Sequence, residues 1–427
     1  MLNVGLIGCG NVGTEFVRVF DERRDGLAQR TGIELVLSRI AVANLNKPRP
    51  AHIAARQLTD NALDIVEDPQ IDLVVELIGG CTDSRDIVLA ALRAGKSVVT
   101  GNKELIASFG AELYAQAAES KVDLLFEAAA VAAVPIIRSL REALVGEHIL
   151  HLIGIFNGTT NYILTRMSRE NMHYAAALEM AQAHGYAEPD PTADVGGADS
   201  AAKLAILASL AFNRGLTIAD VDYEGIASIE RVDIDVARSL DYAIKLIGFA
   251  EVVGDGGSIR AKVMPALIPM QHPLAAVSDT FNAIYVHGQD SGDLMFYGQG
   301  AGRRPTASAL MGDLTDAAIN RAGGVSRPLL IDGRATIDDG DGMTAPYYLR
   351  LEIDDHPGAL SKVSGVLARY AVSIRVVEQH ETPQGTAQLV FLTHRTTESA
   401  FSAAVKDLAT DPDVLRIGRA MPILCLQ

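Results

Sequence analysis

Over the first 130 residues, short apolar runs alternate with amphipathic stretches. The runs at 2–8, 34–42, 71–78, 97–100 and 123–126 have the length and β-branched content of strands, whereas 12–28 and 84–94 place apolar residues at helical spacing. Strands separated by helices predict a parallel, doubly wound sheet. From 135 to about 304 the pattern lengthens, with helices predicted at 162–169, 174–184 and 200–212 and strands at 151–156 and 258–265. This block reads as an insertion. A helical stretch at 306–322 then returns to complete the first domain.

Residues 322–346 are rich in Gly and Asp and hold no helical period longer than a turn, which predicts a linker. Beyond it lie a strand at 347–353, a helix at 358–370, strands at 373–379 and 386–393, a helix at 398–409 and a strand at 414–423, a ferredoxin-like βαββαβ order. The fold class expected is therefore α/β. Residues 1–134 with about 305–322 form the doubly wound domain, 135–304 an inserted α+β domain, 323–346 the linker and 347–427 the last domain.

With 427 residues, 48% of them hydrophobic and 21% charged, the chain has ample material for two or three cores. Its formal charge of −16 argues against nucleic acid or an anionic membrane surface as a partner. The opening MLNVGLIGCG has no basic region ahead of its apolar run, so no signal peptide is expected, and a cytoplasmic location follows. No apolar run approaches the roughly 18–20 residues needed to span a bilayer. Cys9, Cys81 and Cys425 are too few and too widely spaced for a disulfide framework or a zinc site.

Gly8-Cys9-Gly10-Asn11-Val12-Gly13 fits G-x-G-x-x-G between a predicted strand and a predicted helix, the Rossmann dinucleotide context. Gly8 permits the tight turn, Gly10 admits a pyrophosphate, and Gly13 lets helix and strand approach, with the helix N-terminus as anion donor. The second strand ends on Ala43-Asn44, neither the acid that holds a ribose hydroxyl nor the Arg that holds a 2′-phosphate. Lys47 and Arg49 follow closely; they meet such a phosphate, or they belong to a solvated basic loop. In 185–203, Pro189 and Pro191 predict an extended loop carrying Glu188, Asp190 and Asp194. A helix then begins near Asp199, with Lys203 on the same face. Carboxylates converging near a lysine suit an amino-group substrate and a titrating partner, although an Asp–Lys pair at this spacing also occurs as a plain surface ion pair. Lys103 follows a strand at its C-terminal end, where open α/β folds bind ligands.

Four segments together resemble homoserine dehydrogenases: the 185–203 stretch, Gly154-Ile155-Phe156-Asn157-Gly158-Thr159-Thr160-Asn161-Tyr162-Ile163-Leu164, Thr100-Gly101-Asn102-Lys103, and Gly298-Gln299-Gly300-Ala301-Gly302-Arg303-Arg304-Pro305-Thr306. The resemblance implies interconversion of L-homoserine and L-aspartate 4-semialdehyde in threonine, methionine and isoleucine biosynthesis, with NADP or NAD as cofactor and NADP favoured. It implies Lys203 as the proton-transfer lysine and Lys103 as support for the reacting oxygen between cofactor and substrate. Glu188 and Asp199 would bind homoserine, with Asp194 assisting. Asn11, Val12, Thr100, Gly185 and Gly300 would touch the cofactor beside the glycine turn. A monovalent cation, sodium, would sit on Glu127, Ala130, Ala132 and Val134, and the protein would be a homodimer or homotetramer. The physical logic agrees, because a hydride leaves an alcohol carbon as a proton leaves its oxygen, and two neighbouring ammonium groups lower each other's pKa.

One departure concerns the cation loop, where alanines at 128–130 and 132–133 replace the family's usual glycine pair. The other is the uncharged Ala43-Asn44. The last domain resembles an ACT domain, with Asp355-His356-Pro357-Gly358-Ala359-Leu360 at its first strand-to-helix turn. That implies paired domains and a threonine effector, or an assembly module without a ligand. A phosphoglycerate-type dehydrogenase would need a catalytic histidine motif that is not seen, and an aspartate-semialdehyde dehydrogenase a cysteine nucleophile in a setting that Cys9 and Cys81 lack. An amino-acid sensor that kept the fold is the non-enzyme alternative; Lys103, Glu188, Asp199 and Lys203 together argue against it.

Overall fold

The computed structural model describes residues 1–50, 53–254, 257–338, 340–382 and 385–424; Asp339 and Cys425 lie outside them. The chain forms two compact units, Met1–Phe156 with Asp199–Val221 and Phe281–Ala335, and Asn157–Ala198 with Asp222–Thr280 and Thr336–Gln427. No helix among the described residues is long and apolar enough to cross a membrane.

In the first unit six parallel strands run in the spatial order Leu58–Thr59, Leu35–Ala41, Leu2–Ile7, Leu73–Glu76, Ser97–Thr100, Leu124–Leu125. The order reverses beside Leu2–Ile7, which places the glycine turn at the switch point of a Rossmann-like sheet. The central strands are covered on both faces, which is why they read as unbroken apolar runs. Phe16 and Phe20 of the helix Asn11–Thr31 and Leu310 and Leu314 of the helix Arg303–Ala322 share one core with Val4, Leu6, Val75 and Val99. The same unit holds an antiparallel trio, Ile149–Ile155, Phe281–Gly288 and Gly292–Gln299. The last two, and the helix Lys103–Ser120, went unmarked in the sequence pattern.

In the second unit a long hairpin, Tyr242–Val253 with Ser258–Pro269, is flanked by Asp222–Tyr223. The βαββαβ segment forms an antiparallel sheet ordered Ile374–Glu381, Ala387–Thr393, Tyr347–Ile353, Val414–Pro422, with helices Ala359–Arg369 and Glu398–Leu408. Two readings change here. The Gly/Asp-rich stretch is fastened chain: Gly215 N donates to Gly333 O at 2.8 Å, and Ile259 N donates to Thr336 O at 2.8 Å. Composition forbids a helix there but leaves the backbone donors free to pair. The Pro189–Pro191 loop also tightens at its end into a helical turn, Thr192–Val195, which carries Asp194. Proline is compatible with a helix start, and Asp190 accepts from Thr192 N at 3.1 Å.

A buried charge cluster ties the last segment to the rest of its unit. Asp233, fully buried in the helix Arg231–Ser239, accepts from Arg350 Nε at 2.7 Å, from Arg350 Nη2 at 3.1 Å and from Tyr348 Oη at 3.0 Å. Arg350 Nη2 also reaches Glu230 at 3.2 Å. Gly418 faces the guanidinium, since a Cβ there would lie 2.6 Å from its Cζ. Arg350→Met strands the Asp233 carboxylate and should cost roughly 3–5 kcal/mol, while the double change Arg350→Met with Asp233→Leu should recover most of it. Urea denaturation of the three proteins checks this, and equal losses for single and double variants would refute it.

Candidate active site

The Leu2–Ile7 strand delivers the glycine turn, and each glycine has a separate spatial reason. Gly8 has φ +98°, and a Cβ on it would lie 2.5 Å from the Leu77 backbone. A Cβ on Gly13 would lie 2.3 Å from Gly8 O, so close packing of strand and helix requires glycine. Gly10 would meet nothing within 4 Å and faces open space. Asn11 and Val12 begin the helix, and no side chain caps its first turn, which leaves amide donors for an anion.

A cavity of about 380 Å³ opens at this turn, lined by Gly8, Cys9, Gly10, Asn44, Lys47 and Arg49 among others. Arg49 donates to Lys47 O and Asn44 O, both at 2.9 Å, and its Nε is buried without a partner. Lys47 and Arg49 thus belong to the cleft of the glycine turn. Asp60, not singled out from the sequence, lines it too. These residues fit a dinucleotide: a glycine cradle, uncapped amides and a guanidinium with a spare donor.

Beyond the cleft, Glu76 ends its strand with its carboxylate fully buried. It accepts from Thr100 Oγ1 at 2.6 Å and Ile78 N at 2.7 Å, and burial pushes its pKa up. Thr100 is therefore engaged from beneath, its oxygen also receiving Asn102 N at 3.0 Å. An acid closing the otherwise apolar strand Leu73–Glu76 is the sequence signal for Glu76. Asn102 caps the next helix through Leu105 N at 3.1 Å and so aims Lys103.

Three charges meet in this unit. Asp199 lies in the first turn of the helix Ala198–Phe212. Its Oδ1 is 2.5 Å from Lys103 Nζ, and its Oδ2 is 2.9 Å from Lys203 Nζ. Asp199 is 5% and Lys203 8% exposed, so this is no surface ion pair. Burial by itself would raise the Asp199 carboxyl, but the two ammonium groups outweigh it and hold the group far below the ordinary carboxylate range. Lys203 Nζ also donates to Phe156 O at 2.9 Å. Gly300 is constrained by Asn282, whose side chain would lie 1.9 Å from a Cβ there.

The loop expected to hold a cation begins at Glu127, buried, whose carboxylate accepts from Ile137 N at 2.9 Å and Arg138 N at 2.8 Å, while burial pushes its pKa up. Ala132 takes φ +23°, unusual for a residue with a Cβ. Among the described residues no donor reaches the Ala130 or Ala132 carbonyl, whereas the Val134 carbonyl accepts from Ile136 N at 2.8 Å. No group of three or more His, Cys, Asp or Glu stands ready for a metal among the described residues. The fit to a monovalent cation therefore rests on the buried Glu127 carboxylate and the two undonated carbonyls.

The second unit carries the other candidates. Gly185 has φ +73° after the helix Tyr174–Ala183. Glu188 is exposed, on a loop pinned by Thr159 Oγ1, which donates to Tyr186 O at 2.6 Å. Asp194 accepts from Asn157 Nδ2 at 2.7 Å, and Asn157 caps the helix Gly158–Arg169 through Thr160 N. Beneath that helix lies Lys245, also missed: it donates to Asn161 Oδ1 at 3.1 Å and to Val277 O at 2.5 Å, and burial lowers its pKa to about 8.

Residues 8–127 match the family model described as homoserine dehydrogenase, NAD binding domain; residues 135–315 match the model described as homoserine dehydrogenase, and 347–413 the ACT domain. The chain is 42% identical to the homoserine dehydrogenase of Corynebacterium glutamicum over 424 residues, 97% of this chain and 94% of that one. It is similar to the crystal structure of a homoserine dehydrogenase from Thiobacillus denitrificans, with a TM-score of 0.93 at 36% identity over 99% of this chain and 98% of that one. A hyperthermophilic archaeal homoserine dehydrogenase in complex with NADPH covers 75% of this chain and 98% of its own, with a TM-score of 0.62 at 25% identity.

Lys245 makes stability depend on pH. Its folded pKa of about 8 lies below the ordinary 10.5, so its contribution is fully present above 10.5 and is lost as pH falls through 8. Relative to Lys245→Met, the wild-type chain should gain about 3 kcal/mol across that window. Urea denaturation of both proteins at several pH values between 7.5 and 10.5 reads this directly, and parallel curves would refute it.

Proposed function

The chain belongs to the homoserine dehydrogenase family, an oxidoreductase family, and from that premise we propose that it interconverts L-homoserine and L-aspartate 4-semialdehyde with NADP or NAD in threonine, methionine and isoleucine biosynthesis. The observation that carries the reading is the buried Asp199 carboxylate held between Lys103 and the buried Lys203. Bound NAD(P) supplies the hydride acceptor at the alcohol carbon. Lys203 takes the hydroxyl proton. In its neutral form the amine has two N–H donors, which Phe156 O and Asp199 satisfy, and its lone pair is left for the substrate oxygen. Lys103 steadies the developing carbonyl oxygen, and Asp199 keeps both nitrogens in place. Glu188 and Asp199 bind homoserine, with Asp194 assisting.

Gly8, Gly10, Asn11, Val12, Gly13, Thr100, Lys103, Gly185 and Gly300 serve the cofactor. Lys47 and Arg49 favour NADP, supported by the unpartnered Arg49 Nε. Glu127 with the Ala130 and Ala132 carbonyls, and Val134 beside them, would hold sodium, whose charge offsets the burial of the carboxylate. Threonine acts at the ACT domain of a homodimer or homotetramer. This is supported by the family-model match and by Gly358, at φ +99°, opening the helix Ala359–Arg369.

Lys203→Ala should lower kcat for homoserine oxidation by roughly 10²–10⁴-fold while the cofactor Kd changes little. Lys47→Ala with Arg49→Ala should weaken NADP and spare NAD; equal effects on both discard the preference. Threonine added to the same assay should slow the wild-type enzyme, and indifference to it removes the regulatory reading.

A further inference from the structure

The first unit contains a larger cavity that the chemistry above leaves unused. It measures about 570 Å³ and lies among the helix Lys103–Ser120, the helix Ala198–Phe212 and residues 329–334. Ile106, Phe109, Ile206, Leu216 and Leu330 give it an apolar lining. Such a volume is ordinary for a small-molecule site.

The polar groups around it are almost all engaged. Ser209 Oγ donates to Ala205 O at 2.7 Å and receives Leu216 N at 2.9 Å; Glu112 pairs with Arg85, and Arg334 with Asp220. Tyr114 differs. It is 6% exposed and lines the cavity, and its hydroxyl has no hydrogen-bond partner among the described residues. The hydroxyl lies over Gly110, another lining residue, where a Cβ would stand 2.9 Å from it. A hydroxyl with no protein partner on an otherwise apolar cavity wall offers its donor to an acceptor bound there.

We propose that this cavity is a regulatory site for a small, uncharged, largely apolar molecule whose carbonyl oxygen accepts from the Tyr114 hydroxyl. The occupant is uncharged because the charged groups at the rim already hold partners. The site is placed to act on the reaction: Ile106 sits one turn along from Lys103, and Ile206 one turn along from Lys203. An occupant wedged between the two helices moves their starts, and with them the 2.5 Å contact of Lys103 with Asp199. This coupling rests on the roles proposed for those lysines; the site itself does not.

Binding of 4-fluoroacetophenone and of fluorobenzene to the full chain, followed by fluorine NMR, tests the site without turnover. Both probes should bind saturably. Ala111→Trp, on an exposed lining position, should abolish both. Tyr114→Phe should weaken the ketone about three- to tenfold and leave fluorobenzene unchanged, as expected for one hydrogen bond. In a homoserine-oxidation assay, saturating ketone should lower kcat about fivefold in the wild-type enzyme and not in Ala111→Trp. Absent saturable binding, or binding indifferent to Ala111→Trp, overturns the site. Binding without a change in rate overturns the coupling. A change in particle mass for Ala111→Trp, with neither probe bound, makes the groove a contact between copies and also overturns the site. A chain that binds the probes in an Ala111-dependent way yet oxidises no homoserine overturns the proposed function instead.

Discussion

A carboxylate buried between two ammonium groups is costly to build, and the first unit is organised around it. Asp199 leaves water only because Lys103 and Lys203 both reach it, and each lysine is delivered by a helix whose start is determined independently. Asn102 caps one helix, while Asp199 itself occupies the first turn of the other, where a negative charge suits the helix dipole. Removing the aspartate would leave the buried Lys203 cation facing Lys103; removing either lysine would leave the carboxylate short of charge. The Lys203 contact with the Phe156 carbonyl orients the amine as well. A group so placed has few rotamers left.

A comparable constraint governs the second unit. Asp233 has no exposure, and the partners that make its burial tolerable, Arg350 and Tyr348, come from the βαββαβ segment. The strand Tyr347–Ile353 is thereby joined to the helix Arg231–Ser239 by charged groups that cannot part without exposing a bare carboxylate.

The cofactor cleft shows strict and permissive requirements side by side. Gly8 and Gly13 would collide with backbone if they carried a Cβ, whereas Gly10 has only open space before it. The first two are demanded by the fold and the third is not. In the loop after Glu127 the reverse holds: Ala132 accepts a positive φ although it carries a Cβ.

Periodicity and turn chemistry determined much of this protein. Five of the six strands of the parallel sheet, all but Leu58–Thr59, the βαββαβ order of the last segment and the G-x-G-x-x-G turn follow from spacings within a few residues, and the Asp199–Lys203 pair follows from one turn of helix. Glu76, Lys245, Asp60 and Arg350 escaped notice because their importance lies in partners 24, 84 and 117 residues away, or across a cleft, and no local pattern records such a distance. In the Gly/Asp-rich stretch composition excludes a helix, but only the folded neighbours show where its amides pair. Lys103 illustrates the division best. Its place after a strand was plain from the sequence, while its contact with Asp199, 96 residues on, was decided by folding, because only folding determines which charges leave water together.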